Sequence, residues 1–300
     1  MLRLRKNVTS LTAAEKAALV AAIKALKANG TYDRYITEHD NAMNQATLMS
    51  GENPPPPQSL YRNVAHRGPA FGPWHRELLR RFELDLQAQV PGVTLPYWDW
   101  AADSELADPT TAPIWGPDLM GGDGDPNNQN LVGTGPFRYG PNDPATWSVV
   151  TSDGDPGPGL RRTLGQDGHL PSQSEIDIVS KITRYDSAPW RTVSNPSFRN
   201  QLEGWQGPNL HNRVHVWVGG SMLPGTSPND PVFFLHHCNV DRLWWNWQQA
   251  HPDAAYVPRS GGPPGHNLND QMTPWDPATT PASTLSITQL GYRYDTDPLA

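Results

Sequence analysis

Trp74-His75-Arg76-Glu77-Leu78-Leu79-Arg80-Arg81-Phe82-Glu83-Leu84-Asp85-Leu86 carries His75, Leu79, Phe82 and Leu86 at steps of four, three and four. That period puts the four side chains on one apolar face of a helix running from Trp74 to about Gln89, so a histidine points into a core. A buried imidazole needs a partner there.

Upstream, Thr12 followed by Glu15 reads as a capping box, and Leu19, Ile23 and Leu26 recur at helical spacing until Gly30 stops the run. A second helical stretch, from about Tyr32 to Met49, carries His39 and ends before Pro54-Pro-Pro-Pro57, which cannot continue a helix. His66 then lies in a loop. Downstream, Asn209 to Val218 is a short helical run with His211 and His215 one turn apart, followed by Gly219-Gly220. Asp230-Pro231 sets a capping residue before a first-turn proline and opens a helix through about Ala250 that carries His237. The stretch from about Asp103 to Gly159 is rich in Gly, Pro, Asp and Asn without periodicity and reads as long surface loop. No internal repeat is found. The fold expected is mainly α: a four-helix bundle core with long irregular loops, in which four helices and one loop bring histidines inward, as a bundle builds a metal site.

Composition narrows the function classes. The 300 residues carry a net charge of −7 with 18% charged side chains, so no basic face is expected for nucleic acid or for a membrane of anionic lipid; a small neutral substrate fits better. The 32 Pro and 26 Gly point to long ordered loops, and the 12 Trp to a packed aromatic core. One cysteine, Cys238, excludes an intramolecular disulfide. The start is basic but lacks the apolar stretch of a secretory signal, and no apolar run reaches membrane-spanning length.

Six of the ten histidines fall into two groups of three, His39, His66, His75 and His211, His215, His237. Imidazole suits copper, zinc, iron or nickel. The shortage of thiolate and carboxylate beside these residues argues against iron–sulfur or calcium, leaving copper and zinc.

The segment from His66-Arg-Gly-Pro-Ala-Phe71-Gly-Pro-Trp74-His75 to Glu83 resembles the first copper signature of tyrosinases, and Asp230-Pro231-Val-Phe233-Phe234-Leu-His236-His237-Cys-Asn-Val-Asp241 resembles the second. Leu95-Pro-Tyr-Trp-Asp-Trp100 and Leu210-His211-Asn212-Arg213-Val214-His215 are similar to segments of bacterial, actinomycete-type tyrosinases, and Tyr292-Arg-Tyr294 to the tyrosine motif that closes the family's core domain. The likeness implies one catalytic domain over residues 1–300, without a C-terminal shielding domain, holding a dinuclear, type-3 copper centre. It makes His39, His66 and His75 ligands of the first copper and His211, His215 and His237 ligands of the second, His39 lying outside both signatures. His236 becomes a neighbour that supports or packs. Backbone carbonyls or Asp241 are the candidate acceptors for the rings' second nitrogens, with pairing to a local arginine the other reading of Asp241. Glu203 and Asn212 match the pair thought in the family to orient a water that takes the phenol's proton; the plainer readings are an exposed helix residue and a cap.

Departures from the family pattern are Gly72, where a bulky apolar residue is usual, and Cys238. Gly72 reads either as a roomier substrate entrance or as a local backbone adjustment. Cys238 reads as a small buried hydrophobe, with no thioether to a ligand. His169, His251 and His266 are expected in solvent.

The resemblance implies two copper ions that together reduce O2 by two electrons, ortho-hydroxylate monophenols and oxidise o-diphenols to o-quinones. The rivals are a catechol or o-aminophenol oxidase with little monophenol hydroxylation, an oxygen-binding protein and a zinc hydrolase. A small phenolic substrate, O2 and a helper protein for copper delivery are the expected partners. The compartment is either the cytoplasm or the exterior, reached with that helper.

Overall fold

The computed structural model describes residues 2–53, 61–152, 154–155 and 157–297, so the Pro54–Pro57 run lies outside the described residues. Eight α-helices are present among the described residues: α1 (Ala13–Ala28), α2 (Thr31–Asn44), α3 (Phe71–Gln89), α4 (Trp100–Asp103), α5 (Gln173–Ser180), α6 (Phe198–Glu203), α7 (His211–Val218) and α8 (Val232–Ala250). Two small sheets accompany them: β1 (Arg3–Arg5) parallel to β4 (Tyr292–Tyr294), and β2 (Gly124–Asp125) antiparallel to β3 (Leu131–Val132). None of the described helices is long and apolar enough to cross a membrane.

The expected starts and stops have local causes. The Thr12–Glu15 capping box is formed in both directions and opens α1. α8 begins at Val232 with Pro231, not Asp230, at its cap position, and Asp230 one residue earlier accepts the Val232 N–H at 3.1 Å. The second helix ends at Asn44 rather than Met49 because the chain turns extended to pair with the loop beyond it. There Thr47 N–H donates to the Arg62 carbonyl at 3.0 Å and Val64 N–H to the Gln45 carbonyl at 3.2 Å. The third begins at Phe71, three residues early, with Pro73 in the first turn, where no backbone N–H is needed.

α2, α3, α7 and α8 surround the core, and α1 lays Leu19, Ile23 and Leu26 into it. Phe82 of α3 stacks on Phe234 of α8 at 3.6 Å and 9°, with Tyr32 and Tyr35 of α2 edge-on to both. Behind this seam lies a buried ionic cluster. Arg5 of β1 donates to both Glu83 oxygens at 3.2 and 3.0 Å and to Asp241 at 3.3 Å. Arg76 donates to the other Asp241 oxygen, and the Tyr292 hydroxyl of β4 reaches Asp241 at 2.6 Å. Each desolvated charge thus has an opposite partner, without which burial would be costly.

The stretch expected as surface loop, 103–159, is a correction. It is irregular, but Ile114, Trp115, Leu119, Met120, Phe137 and Trp147 are in the core. What pins it is Arg162. Its guanidinium pairs with both Asp230 oxygens at 2.7 and 2.8 Å and donates to the carbonyls of Met120, Gly121 and Gly122 at 3.0, 2.8 and 3.0 Å. Those contacts satisfy backbone that would otherwise need water.

Candidate metal centre

Two adjoining clusters of histidines occupy the middle of the bundle. His39 on α2, His66 in the following loop and His75 on α3 form the first, their rings 4.7 to 5.7 Å apart. His211 and His215 on α7 and His237 on α8 form the second, with Nε2 atoms 3.1, 3.2 and 3.4 Å from one another. The two meet face to face: His75 stacks on His237 at 4.3 Å and 15°. All six sequence candidates are therefore brought together.

The second ring nitrogen decides which one is free. His39 Nδ1 lies 2.6 Å from the Gly225 carbonyl, His75 Nδ1 2.8 Å from that of Phe71, and His215 Nδ1 2.7 Å from that of Met222. His211 Nδ1 is shared between the Glu203 carbonyl at 3.1 Å and Asn212 Oδ1 at 2.9 Å. Carbonyl oxygens only accept, so each Nδ1 carries the hydrogen and leaves a lone pair on Nε2. His39 Nε2 and His75 Nε2 are buried without a hydrogen-bond partner. Burial holds all six imidazoles below their ordinary pKa, to about 4 for His39 and His215, so they are neutral near pH 7. Orphaned neutral nitrogens facing one another are the donor set a soft or borderline metal ion takes, and they fit copper.

Asp241 serves none of these rings: it belongs to the Arg5–Arg76 cluster, so its reading as an arginine partner holds and the acceptors are carbonyls. One short connection, between α7 and α8, supplies two of them, Met222 and Gly225.

Glu203 is fully buried, not an exposed helix residue. It ends α6, whose Ser197 cap accepts from Asn200, and the left-handed Gly204 (φ 109°) then turns the chain toward α7. A Cβ at Gly204 would stand 2.1 Å from Asn209 Oδ1, so only glycine fits. The Glu203 carboxylate accepts the Arg67 N–H at 2.6 Å and Arg199 at 3.0 Å, and burial raises its proton affinity against those partners. Arg67 can aim that N–H because its own φ is 61°. Asn212 Nδ2 donates to the Gly204 carbonyl at 3.2 Å, which fixes the amide with its oxygen toward His211. Sequence reasoning missed Arg67 and Arg199, since a backbone N–H and a partner one helical turn away leave no motif.

Three expectations are corrected or sharpened. Gly72 opens no space beside the site: a Cβ there would lie 2.9 Å from the Trp244 ring, so the glycine lets α3 approach α8. Gly72→Leu should therefore destabilise the fold by about 1–3 kcal/mol, the usual cost of overpacking, with equal effects on small and bulky substrates. Thermal melts and Michaelis constants for two phenols check this; selective loss of the bulky phenol at unchanged stability would restore the entrance reading. Cys238 is a buried thiol against the Leu95 carbonyl and the Tyr294 hydroxyl, pushed up to about 12 by burial. His266 is not solvated but fully buried: its Nδ1 accepts the Ala70 N–H at 3.0 Å and its Nε2 lies 3.0 Å from Thr47 Oγ1. His251 is half-buried, donating to the Ser180 carbonyl, and His169 is exposed.

Residues 29–250 match the family model described as the common central domain of tyrosinase. The chain is 45% identical over 98% of its length, and 99% of the relative's, to a tyrosinase of Streptomyces glaucescens. It is 38% identical over 98% of its length, and all of the relative's, to grixazone synthase of Streptomyces griseus. Among solved structures, a variant of the polyphenol oxidase of Thermothelomyces thermophila superposes with a TM-score of 0.67 at 23% identity, covering 98% of this chain and 88% of that one. A functional unit of octopus hemocyanin gives 0.58 at 23%, covering 98% and 68%. At that identity the two structures support the fold alone.

Proposed function

The chain belongs to the tyrosinase family, and on that premise we propose that His39, His66 and His75 hold one copper ion and His211, His215 and His237 a second, for ortho-hydroxylation of monophenols and oxidation of o-diphenols to o-quinones. It is a copper-dependent phenol oxidase with O2 as co-substrate. The observation that carries the ligand assignment is the pair of adjoining imidazole triads with free nitrogens turned toward each other.

Bound copper supplies the redox chemistry, one electron from each ion to O2. The chain's residues do the rest. Carbonyls of Phe71, Glu203, Met222 and Gly225 hold four rings at fixed angles, as partners outside a metal's ligands do. A phenol, with a pKa of about 10, arrives protonated at neutral pH and must lose that proton to act as phenolate. Glu203, through its backbone carbonyl, and Asn212, through its amide oxygen, both meet the Nδ1 edge of the His211 ring, and they are the pair assigned here to orient the water that accepts it. Burial makes the Glu203 carboxylate a better base than an exposed one, against the opposing pull of Arg199 and Arg67.

Asn212→Ala should lower monophenol turnover by at least about tenfold, within the range of a general base, and catechol oxidation much less. Steady-state rates on both substrates check it. Parallel losses would mean that the amide acts only as an acceptor for His211 Nδ1.

A panel of a monophenol, a catechol and an ortho-aminophenol, given to the copper-loaded protein, tests the substrate class. Turnover of all but the monophenol would replace this reading by that of a catechol or o-aminophenol oxidase. Because the ligating rings lie inside the bundle, we also propose delivery of copper by a small helper protein, which would carry the enzyme out of the cytoplasm with it.

A further inference from the structure

A fourth imidazole lies against the three of the second pocket. His236 is fully buried, and among the described residues neither of its ring nitrogens has a hydrogen-bond partner of ordinary geometry, the His211 backbone acting on the ring only weakly against its burial. Its ring stacks on His211 at 5.1 Å and 20° and meets His215 edge-on at 5.0 Å and 80°. One nitrogen from each of His211, His215, His236 and His237 lies within 4.8 Å of the other three. A packing role does not account for this, since an apolar ring of the same size would fill the space without hiding a donor and an acceptor from water. The remaining way to engage the lone pair is to give it a cation.

We propose that His236 is a fourth nitrogen donor of the second pocket, closing a four-histidine shell around a divalent ion when that pocket alone is filled. The inference rests on reading His211, His215 and His237 as a metal pocket. Four convergent imidazoles suit an ion that takes tetrahedral geometry, zinc or cobalt among the divalent ions. Among the described residues the first cluster offers three histidines and no fourth. A single equivalent therefore goes to the second pocket. A closed shell has no open position for O2, so it belongs to the singly loaded chain and not to the working oxidase.

The test is titration of the metal-free protein with Co2+, whose visible bands are strong in a tetrahedral field and weak with five or six ligands. At one equivalent the wild type should show the strong bands, with four nitrogen neighbours by X-ray absorption. In His236→Phe, which keeps the ring and removes the nitrogens, the first equivalent should bind about 10–100-fold more weakly against a chromophoric chelator, with weakened bands. His236→Gln serves should the phenylalanine variant not fold. A wild-type spectrum of five or six ligands at one equivalent overturns the proposal whatever the variants do. So does equal first-equivalent affinity in wild type and His236→Phe. His211→Ala separates the two levels. If it abolishes the first binding step while His236→Phe does not, the pocket stands and His236 is no ligand; if neither changes that step, the pocket assignment falls as well.

Discussion

Alanine at His75 or at His215 should leave less than two copper ions per chain and cut oxidase activity by more than about 100-fold. Losing even a residue that merely orients a metal ligand costs about 10–100-fold, so losing the ligand costs more. Each residue has one nitrogen locked by a carbonyl, Phe71 for His75 and Met222 for His215, and the other turned into the centre. Alanine removes that nitrogen and also the ring surface. For His75 the surface matters twice, because the ring is stacked on His237 of the opposite pocket at 4.3 Å. His75→Ala should therefore disturb occupancy of both pockets, whereas His215→Ala should spare the first. Copper analysis, oxygen uptake and far-ultraviolet circular dichroism on the same samples decide this. Full activity in either folded variant would remove that residue from the ligand set.

Asp241→Ala should be the most destabilising substitution outside the metal centre. Burial alone would raise the proton affinity of this carboxyl, but Arg76 and Arg5, with the Tyr292 and Tyr294 hydroxyls, outweigh it and hold the group below the usual carboxylate range. Removing it leaves the fully buried Arg76 guanidinium without its counter-charge, Arg5 with Glu83 alone, and the Tyr292 hydroxyl without an acceptor, while Tyr294 keeps the Cys238 carbonyl. Breaking one partner out of a buried ionic cluster costs about 3–5 kcal/mol, which for a chain of this size lowers the melting midpoint by on the order of 10 °C. The pH dependence has a definite sign. A depressed carboxylate contributes stability that is fully present above its unfolded pKa and is lost as pH falls through its lower folded value. The wild type should thus lose this contribution only in acid below about pH 4, and the variant should lack it at every pH. Melts from pH 3 to 8 check both statements. A loss under about 1 kcal/mol, the scale of an exposed ion pair, would show that the cluster is not the clamp described.

What the sequence revealed and what it hid divide along the range of the interactions. His75, Leu79 and Phe82 share a helix face whatever else the chain does, and Asp230 accepts the first N–H of α8 from two residues away, so both are legible. The end of α2 is not, because the extended pairing of Gln45 and Thr47 with Arg62 and Val64 depends on a return of the chain. The long stretch after Asp103 looks like solvent-facing loop because the group that draws it inward, Arg162, pairs with an aspartate 68 positions away. Gly72 misleads for the same reason: the volume over a glycine is set by its neighbour, here Trp244, and no count along α3 shows it. His266 carries no periodic signal, and its burial is explained by the Ala70 N–H and the Thr47 hydroxyl turned toward its two ring nitrogens. Among site residues, the histidines are readable by type and spacing. Carbonyl acceptors are not, since every residue has one.

The parallel pairing of β1 with β4 joins Arg3–Arg5 to Tyr292–Tyr294, and from both strands side chains reach the carboxylate of Asp241. During synthesis the helices that carry the histidines leave the ribosome well before this last strand does. Until it emerges, Arg5 and Arg76 have Asp241 as a counter-ion, but the two tyrosine hydroxyls that also bond that carboxylate are missing. Contacts of such long sequence separation form late and slowly. The ionic cluster behind α3 and α8 is thus completed only when two strands from distant parts of the chain have met.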